Sequence, residues 1–360
     1  MNFNEITPEE FTKFATHSPY KSFTQTTEIA SLREKNGWVP YYFGVKENDK
    51  IIAATMLVAK PTFLGKSTFI APGGPLMDYE KTELTNYLFK NLKSYAKSHN
   101  GYSLQISPNY ELRELDRDGN LVPKGFNHQK AKQNLKNLGF VEIPHASQPK
   151  YHFAMDISGR TPDELFADMK RNTRNHIRKA EKAGVAIREL KRNELHLLKQ
   201  ITESTSKRRG FEDRPLSYYE QMYDLFHDKG EVKFLVAEVT PEDSSNPQQS
   251  PLVLSAAMFM LYGDEIIYLF SGSDENYMKE YNAQYLIQWH MIKYASEHNF
   301  KRYNFYGISG QPKDGELDGI YEFKKGFDTK HGKVLELIGT YELPINNIFF
   351  RIHKIASKLR

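Results

Sequence analysis

Three segments of this chain combine residue types that handle charge, and their spacing says which charge. Over residues 170–182 the run KRNTRNHIRKAEK places Lys or Arg at six positions against one acid, Glu181. Arg171, Arg174, Arg178 and Lys182 follow one another at intervals of three, four and four. On an α-helix they share one face and could track a phosphate backbone. The alternative is a solvated face, although the run has almost no acid at the i,i+4 positions where its cations would find partners. A second segment, KRRGFEDRPLSYYEQMY over 207–223, sets Arg214 four residues before Tyr218 after a helix start. That spacing projects a guanidinium and a phenol toward one ligand, a pyrophosphate for instance, or marks a helix N-terminus with packed tyrosines. The third segment is YEFKKGF over 321–327, with Lys324 between Phe323 and Phe327. A cation in a partly dry aromatic setting acts strongly on a developing oxyanion; equally, the two Phe residues could be core positions of a strand or turn. Read as a strand, the segment would send Lys324 and Lys325 to opposite faces.

Other chemistries lack their signatures. There is no GxSxG, GxxxxGK[ST], HExxH or GxGxxG motif, so hydrolase, P-loop, zincin and dinucleotide readings have no footing, and no cofactor is expected. His128, His145, His152 and His176 stand in unrelated contexts, and a lone His is more often a packing or surface residue than a ligand. The absence of Cys removes disulfides, thiolate nucleophiles and Cys-rich zinc sites, and fits a reducing compartment.

The elements that must position these segments follow from composition and pattern. With 360 residues, 39% hydrophobic and 26% charged, the chain suits about two domains, and its 22 Tyr and 23 Phe argue against disorder. A net charge of +4 is too small for the whole protein to be a nucleic-acid binder. The mean hydropathy is −0.64, and no apolar run approaches the roughly 20 residues that span a bilayer, so no stable membrane insertion is expected. The start, MNFNEITPEEFTKFATHSPY, has no apolar signal region, which points to the cytoplasm.

An order of hairpin, loop, helix and strand occurs twice. KIIAATMLVA and STFIAPGGPLMD precede the helical TELTNYLFKNLKSYAKSHN and the strand YSLQIS; SPLVLSAAMFMLY and EIIYLFSGS, joined at Gly263-Asp264, precede the helical AQYLIQWHMIKYASEHN and the strand YNFYG. The chain therefore reads as two similar α/β (α+β) domains. The linker HASQPK leads into the strand YHFAMDI, and Thr161, Pro162 and Glu164 form an N-cap, first-turn Pro and capping box for the helix that becomes the basic one, closed by Gly184. Residues 241–251, PEDSSNPQQSP, read as a surface turn between strands. After Gly332 come one last strand, VLELIGTYEL, and a basic C-terminal helix, INNIFFRIHKIASKLR.

The basic helix NTRNHIRKAEKAGV, the RPLSYY segment and YEFKKGF, in this order on a doubled α/β chain, resemble the Fem-type peptidoglycan aminoacyltransferases. FTQTTEIASLREKNGW, APGGPLMD, GYSLQIS and the SGS of YLFSGSDENY extend the resemblance nearly end to end. It implies two tandem domains resembling the acyl-CoA N-acyltransferase (GNAT) fold with a substrate cleft: residues 1–153 with 336–360 packing back, and residues 154–335. The implied reaction moves an amino acid (alanine, serine or glycine) from aminoacyl-tRNA to the lysine ε-amine of the peptidoglycan stem peptide, carried by UDP-MurNAc-pentapeptide or lipid II. A monomer in the cytoplasm or at the inner membrane surface would do this. Many members insert a long coiled coil that grips tRNA; here only RNELHLLKQITESTSKRR lies between Gly184 and Phe211, as in the smaller branch of the family.

Carried over by position, the resemblance puts Arg33 at the UDP diphosphate, Tyr102 on the cleft, Arg214 and Tyr218 on the same substrate, and Phe323 and Lys324 at the acyl-transfer centre. The two domains would meet at a cleft lined by Tyr102, Arg214 and Tyr218. A one-sided basic helix without acidic partners attracts phosphates, so Arg171, Arg174, Arg178 and Lys182 are expected to contact the tRNA. Two positions depart from the pattern. A substrate-facing Tyr is replaced by Phe270, with Tyr268 two residues away on the same strand face, and an Asp near the reacting centre is replaced by Ser107. Two other classes share parts of this reading. An acyl-CoA-dependent N-acyltransferase would need a pyrophosphate-cradling Arg/Gln-x-x-Gly-x-Gly/Ala loop, which is missing. A non-catalytic tRNA-binding protein would leave YEFKKGF and the Arg214-Tyr218 pair unused.

Overall fold

A computed structural model describes residues 1–62, 65–144, 146, 148–210, 212–240, 251–308, 310 and 319–358, with side chains of the last helix as far as 352. The chain divides into two units, Met1–Leu115 with Leu121–Tyr151 and Leu335–Arg360, and Asp116–Asn120 with His152–Val334. Residues 241–250 of the expected surface turn and His145 lie outside the described residues.

The first unit begins β1 (Asn2–Glu5), α1 (Pro8–His17), α2 (Thr27–Lys35), β2 (Val39–Glu47), β3 (Lys50–Pro61), β4 (Ser67–Gly73), α3 (Thr82–Ser98), β5 (Gly101–Pro108), β6 (Glu111–Glu114), α4 (Gln129–Asn137) and β7 (Val141–Glu142). Thr7 and Glu10 close a capping box at α1, behind which Pro8 occupies the first turn. Strands β3 and β4 pair antiparallel, α3 crosses over, and β5 returns parallel to β4. Leu84, Leu88, Leu92 and Ala96, four apart on α3, are buried in one core with Phe43, Leu57, Phe69 and Leu104.

The second unit repeats that path. Its elements are β8 (Tyr151–Asp156), α5 (Pro162–Ala167), α6 (Arg171–Lys182), β9 (Ala186–Glu189), α7 (Leu195–Arg209), α8 (Leu216–Phe226), β10 (Val232–Val239), β11 (Leu252–Tyr262), β12 (Glu265–Ser273), α9 (Met278–Tyr281), α10 (Ala283–Glu297), β13 (Arg302–Gly307) and α11 (Gly319–Lys325). Strands β8 to β13 form a sheet in the order β8-β13-β12-β11-β10-β9, with β11 and β12 antiparallel and β13 parallel to β12 after α10. The hairpin turns at Gly263, whose φ of 63° suits a two-residue turn with a glycine first. The chain then runs through β14 (Gly332–Leu337) back to the first unit, where β15 (Tyr341–Pro344) lies between β5 and β7 in the order β1-β2-β3-β4-β5-β15-β7, and α12 (Asn347–Lys358) ends the fold.

Three local readings of the sequence are corrected. The capped helix at Thr161 and the basic helix are separate: α5 stops at Ala167, because Asp168 and Lys170 bond to the chain after α11 instead of continuing the helical ladder. VLELIGTYEL is two strands interrupted at Gly339, whose φ of 104° leaves the extended region. YEFKKGF begins in a helix, α11, so Lys324 and Lys325 are separated by about 100° of helical rotation and the opposite-face argument lapses.

Gly272 on β12 shows how closely α7 approaches the second sheet. A Cβ there would lie 2.6 Å from the Ile201 carbonyl oxygen, which a helix cannot move aside without losing its own bonds. Gly272→Ala should therefore cost about 1–3 kcal/mol of stability, read as a lower midpoint in urea unfolding. An unchanged midpoint would contradict this tight contact.

Candidate functional site

In the second unit the predicted residues fall into two adjoining groups on β12, α8 and α11. The first is built on Asp213. This acid, just before Arg214, accepts from Lys199 Nζ at 2.8 Å, Thr202 Oγ1 at 2.9 Å and Tyr219 Oη at 3.0 Å, so the chain entering α8 is pinned. Arg214 precedes the helix instead of belonging to it, with Pro215 at the N-cap. Its guanidinium nevertheless lies 5.4 Å from the Tyr218 ring centroid, so the Arg-x-x-x-Tyr pair is brought together as a cation–π contact. The Tyr218 ring meets Phe270 edge-on at 5.8 Å, and Tyr219 meets Phe270 at the same distance.

The second group centres on Lys324, which is only 6% exposed. Its Nζ donates to the Gly307 carbonyl and lies 6.0 Å from the Tyr268 ring centroid. Tyr268 bonds through its hydroxyl with Ser271 Oγ and accepts from Gln284 Nε2 at 2.8 Å. Burial pushes that phenol up to about 12, against the opposing effects of Ser271, Arg209 and Gln284. Phe323 stands edge-on to Tyr285 at 4.9 Å and to Phe327 at 5.3 Å, packing α11 among aromatic neighbours. Lys325 pairs with Asp118 and lies 5.2 Å from the Tyr321 ring centroid.

Between the two groups, β12 carries a bulge: Met258 pairs with Phe270 and Phe259 with Tyr268, leaving Leu269 over. The two aromatic residues therefore serve different neighbours. Phe270 goes to α8, while Tyr268 stacks on Phe259 at 5.4 Å and reaches α10. Strict alternation from the sequence could not have revealed this.

The basic helix is partly committed to structure. Its buried face is Thr173, Ile177 and Ala180, and Arg171, Arg178 and Lys182 are exposed. Arg174 differs: Nη1 donates to the carbonyls of Ala167 at 2.7 Å and Met169 at 2.6 Å, closing the end of α5. Arg178 lies 5.3 Å from the Phe166 ring centroid.

The remaining predicted residues belong to the first unit. Arg33, in the last turn of α2, lies 4.9 Å from the Trp38 ring centroid, and Lys60 lies 5.3 Å from the same indole. Tyr102 is 2% exposed and packs on Phe349 of α12 at 5.1 Å; burial, with Glu342, raises its pKa. Its ring is thus buried within the first unit, against α12. Ser107 is buried and accepts from Thr340 Oγ1 at 3.2 Å, so its hydroxyl is engaged by the loop between β14 and β15.

Sequence reasoning missed Asp213, Gln284, Asn304 and Tyr306, and passed over His152 as one scattered histidine. Only their tertiary neighbours mark them. Among the described residues no cluster of three or more His, Asp or Glu could hold a metal ion, and no helix is long and apolar enough to cross a membrane.

The sequence profile of the FemAB family matches residues 6–246 and 240–358. The chain belongs to the FemAB family. FemAB relatives of known function include the aminoacyltransferase FemA of Staphylococcus aureus strain bovine RF122 / ET3-1 and that of strain N315. Each is 27% identical over 421 aligned positions, covering 100% of this chain and 99% of the relative. Since this chain has 360 residues, the alignment opens gaps in it. Among solved structures, FemX is similar with a TM-score of 0.79 and 23% identity over 98% of this chain and 99% of FemX. A tandem GNAT protein from the clavulanic acid pathway has a TM-score of 0.56 and 10% identity over 96% of this chain and 98% of its own. These structural likenesses establish the fold of two tandem GNAT-like domains.

Arg174 and Arg171 give a direct contrast on the FemAB basic helix. Arg174→Glu removes two charge-assisted bonds to carbonyls at a half-open site and should cost about 1–2 kcal/mol in urea unfolding, while Arg171→Glu should stay near wild type. Equal midpoints for the two variants would return Arg174 to the exposed face.

Proposed function

We propose that this protein transfers an aminoacyl group from aminoacyl-tRNA to the lysine ε-amine of the peptidoglycan stem peptide, on UDP-MurNAc-pentapeptide or lipid II. The amino acid transferred is alanine, serine or glycine. The FemA relatives, named as aminoacyltransferases, align over the whole chain. The observation that carries the reading to this chain's residues is the buried Lys324 ammonium, held by the Gly307 carbonyl beside Tyr268.

An aminoacyl ester is already activated, so the protein must hold the amine against it and stabilise the charge that develops. Attack by the free amine forms the new C–N bond and leaves a tetrahedral oxyanion. Collapse of that intermediate breaks the ester C–O bond and expels the ribose oxygen, which leaves as a hydroxyl after taking a proton. Lys324 suits stabilisation of the oxyanion or of the departing ribose oxygen, since a charge in a dry site acts more strongly than one in water. The proton on the attacking nitrogen passes to water or to a substrate group. Arg214 and Tyr218 suit the diphosphate of the acceptor, and the exposed Arg171, Arg178 and Lys182 suit the tRNA backbone.

The reading is tested by incubating the protein with UDP-MurNAc-pentapeptide, and separately with lipid II, and a panel of aminoacyl-tRNAs and weighing the product; no mass increase with any of them, on either acceptor, rejects it. Lys324→Met should lower kcat about 10²- to 10³-fold with KM for both substrates little changed, as loss of an oxyanion donor does elsewhere. Lys325→Met should keep kcat, because its ammonium is taken up by Asp118. Full activity in Lys324→Met would leave transfer to positioning alone. Arg214→Ala should raise KM for the UDP-linked acceptor about tenfold or more, the loss of one charge-assisted contact. An unchanged KM would remove Arg214 from that site.

A further inference from the structure

The carbonyl that holds Lys324 is presented by an irregular corner at the end of β13. Asn304 pairs with Ala154 and Gly307 with His152, so Phe305 and Tyr306 stand against the single Phe153. Tyr306 has φ of 61°, and among the described residues it is the aromatic side chain found at positive φ; the others there are Gly, Asn, Asp and one Lys. A bulky residue keeps this conformation only where its surroundings over-determine it. Here they do. The Tyr306 N–H donates to Asn304 Oδ1 at 2.8 Å, and its ring packs on His152 at 4.6 Å. Asn304, itself 4% exposed, donates from Nδ2 to Glu265 Oε1 at 3.0 Å, with His152 Nδ1 at 3.4 Å from the same nitrogen. Glu265 is steadied in turn by Arg302 at 3.9 Å.

We infer that Asn304 is a positioning residue for Lys324: by tying down the Tyr306 N–H it fixes the left-handed corner that aims the Gly307 carbonyl at the Lys324 ammonium. Asn304 acts through the backbone, since rotation at Tyr306 swings the next peptide and with it the carbonyl that sets the ammonium's place. The inference rests on the transfer role proposed above for Lys324, and it adds a residue that the sequence pattern did not distinguish.

Asn304→Ala in the full chain removes the tie. Transfer to UDP-MurNAc-pentapeptide should then lose about 10- to 100-fold in kcat, the scale of a displaced catalytic group, while KM for both substrates stays close to wild type. Independently of activity, reductive methylation followed by mass spectrometry should label Lys324 several-fold faster than in wild type. The double variant Asn304→Asp with Glu265→Gln rebuilds the bond with donor and acceptor exchanged and keeps an oxygen for the Tyr306 N–H. It should restore both kcat and protection of Lys324. If Asn304→Ala does not fold, Tyr306→Val, a β-branched side chain at a left-handed position, carries the same expectations. Wild-type kcat and wild-type protection in Asn304→Ala overturn the inference, as does a loss of kcat with Lys324 still protected. If the wild-type protein transfers nothing, the functional reading fails on its own and the labelling decides the corner.

Discussion

A fully buried carboxylate sets the terms for the second unit. Asp328 is 0% exposed, and an unpaired charge there would cost several kcal/mol. Arg160 meets it through Nη1 at 2.8 Å and with Nη2 reaches Asp168, also at 2.8 Å. Asp328 also accepts from the backbone N–H groups of Lys330 and His331 at 2.8 Å, and Lys170 N–H donates to the Gly326 carbonyl at 2.8 Å. The break between α5 and α6 is thereby fastened to the chain leaving α11. Remove this fastening and both the basic helix and the Lys324 helix lose their anchor.

From that anchor the site is assembled by packing more than by charge. Phe323 and Phe327 lock α11 against Tyr285 of α10, and Phe327 meets Phe305 of β13 at 5.2 Å. On the helix so packed, Lys324 is 6% exposed beside the Tyr268 ring, a setting where a single ammonium has a large effect. Arg214 is placed by similar means, since Asp213 uses Lys199, Thr202 and Tyr219 to fix the entry to α8. Charged residues assigned to the proposed site stand next to charged residues that serve structure. The pairs Asp213 with Arg214 and Lys324 with Lys325 show how one position in sequence divides the two roles.

The doubled architecture explains why the second unit has room for such a site. Both units run antiparallel hairpin, crossover helix and parallel strand. In the first, after a shift at Ser67 and Thr68, β5 pairs regularly with β4 to Gly73 and Pro108. In the second, β13 pairs with β12 over Glu265 to Ile267 and then departs from regular register against β8 at Asn304 to Gly307. At the end of that departure the Gly307 carbonyl accepts from Lys324 Nζ.

The sequence by itself determined what depends on neighbours along the chain. The hairpin-helix-strand repeat follows from apolar spacing, the cap at Thr161 from residues three apart, and the helical stripe of α6 from intervals of three and four. These are local, and a periodicity or a cap is complete within one or two turns. Family motifs added the residues Lys324, Arg214 and Tyr218, whose side chains the fold then placed at named partners. Tertiary structure alone decided the rest. It made YEFKKGF a helix, took Arg174 out of the exposed stripe, sank Tyr102 beneath Phe349, and turned His152 and Asn304 into supports for one strained corner. Each of these depends on a partner far away in sequence, and a residue's type does not say which distant backbone atom or ring will come to lie against it.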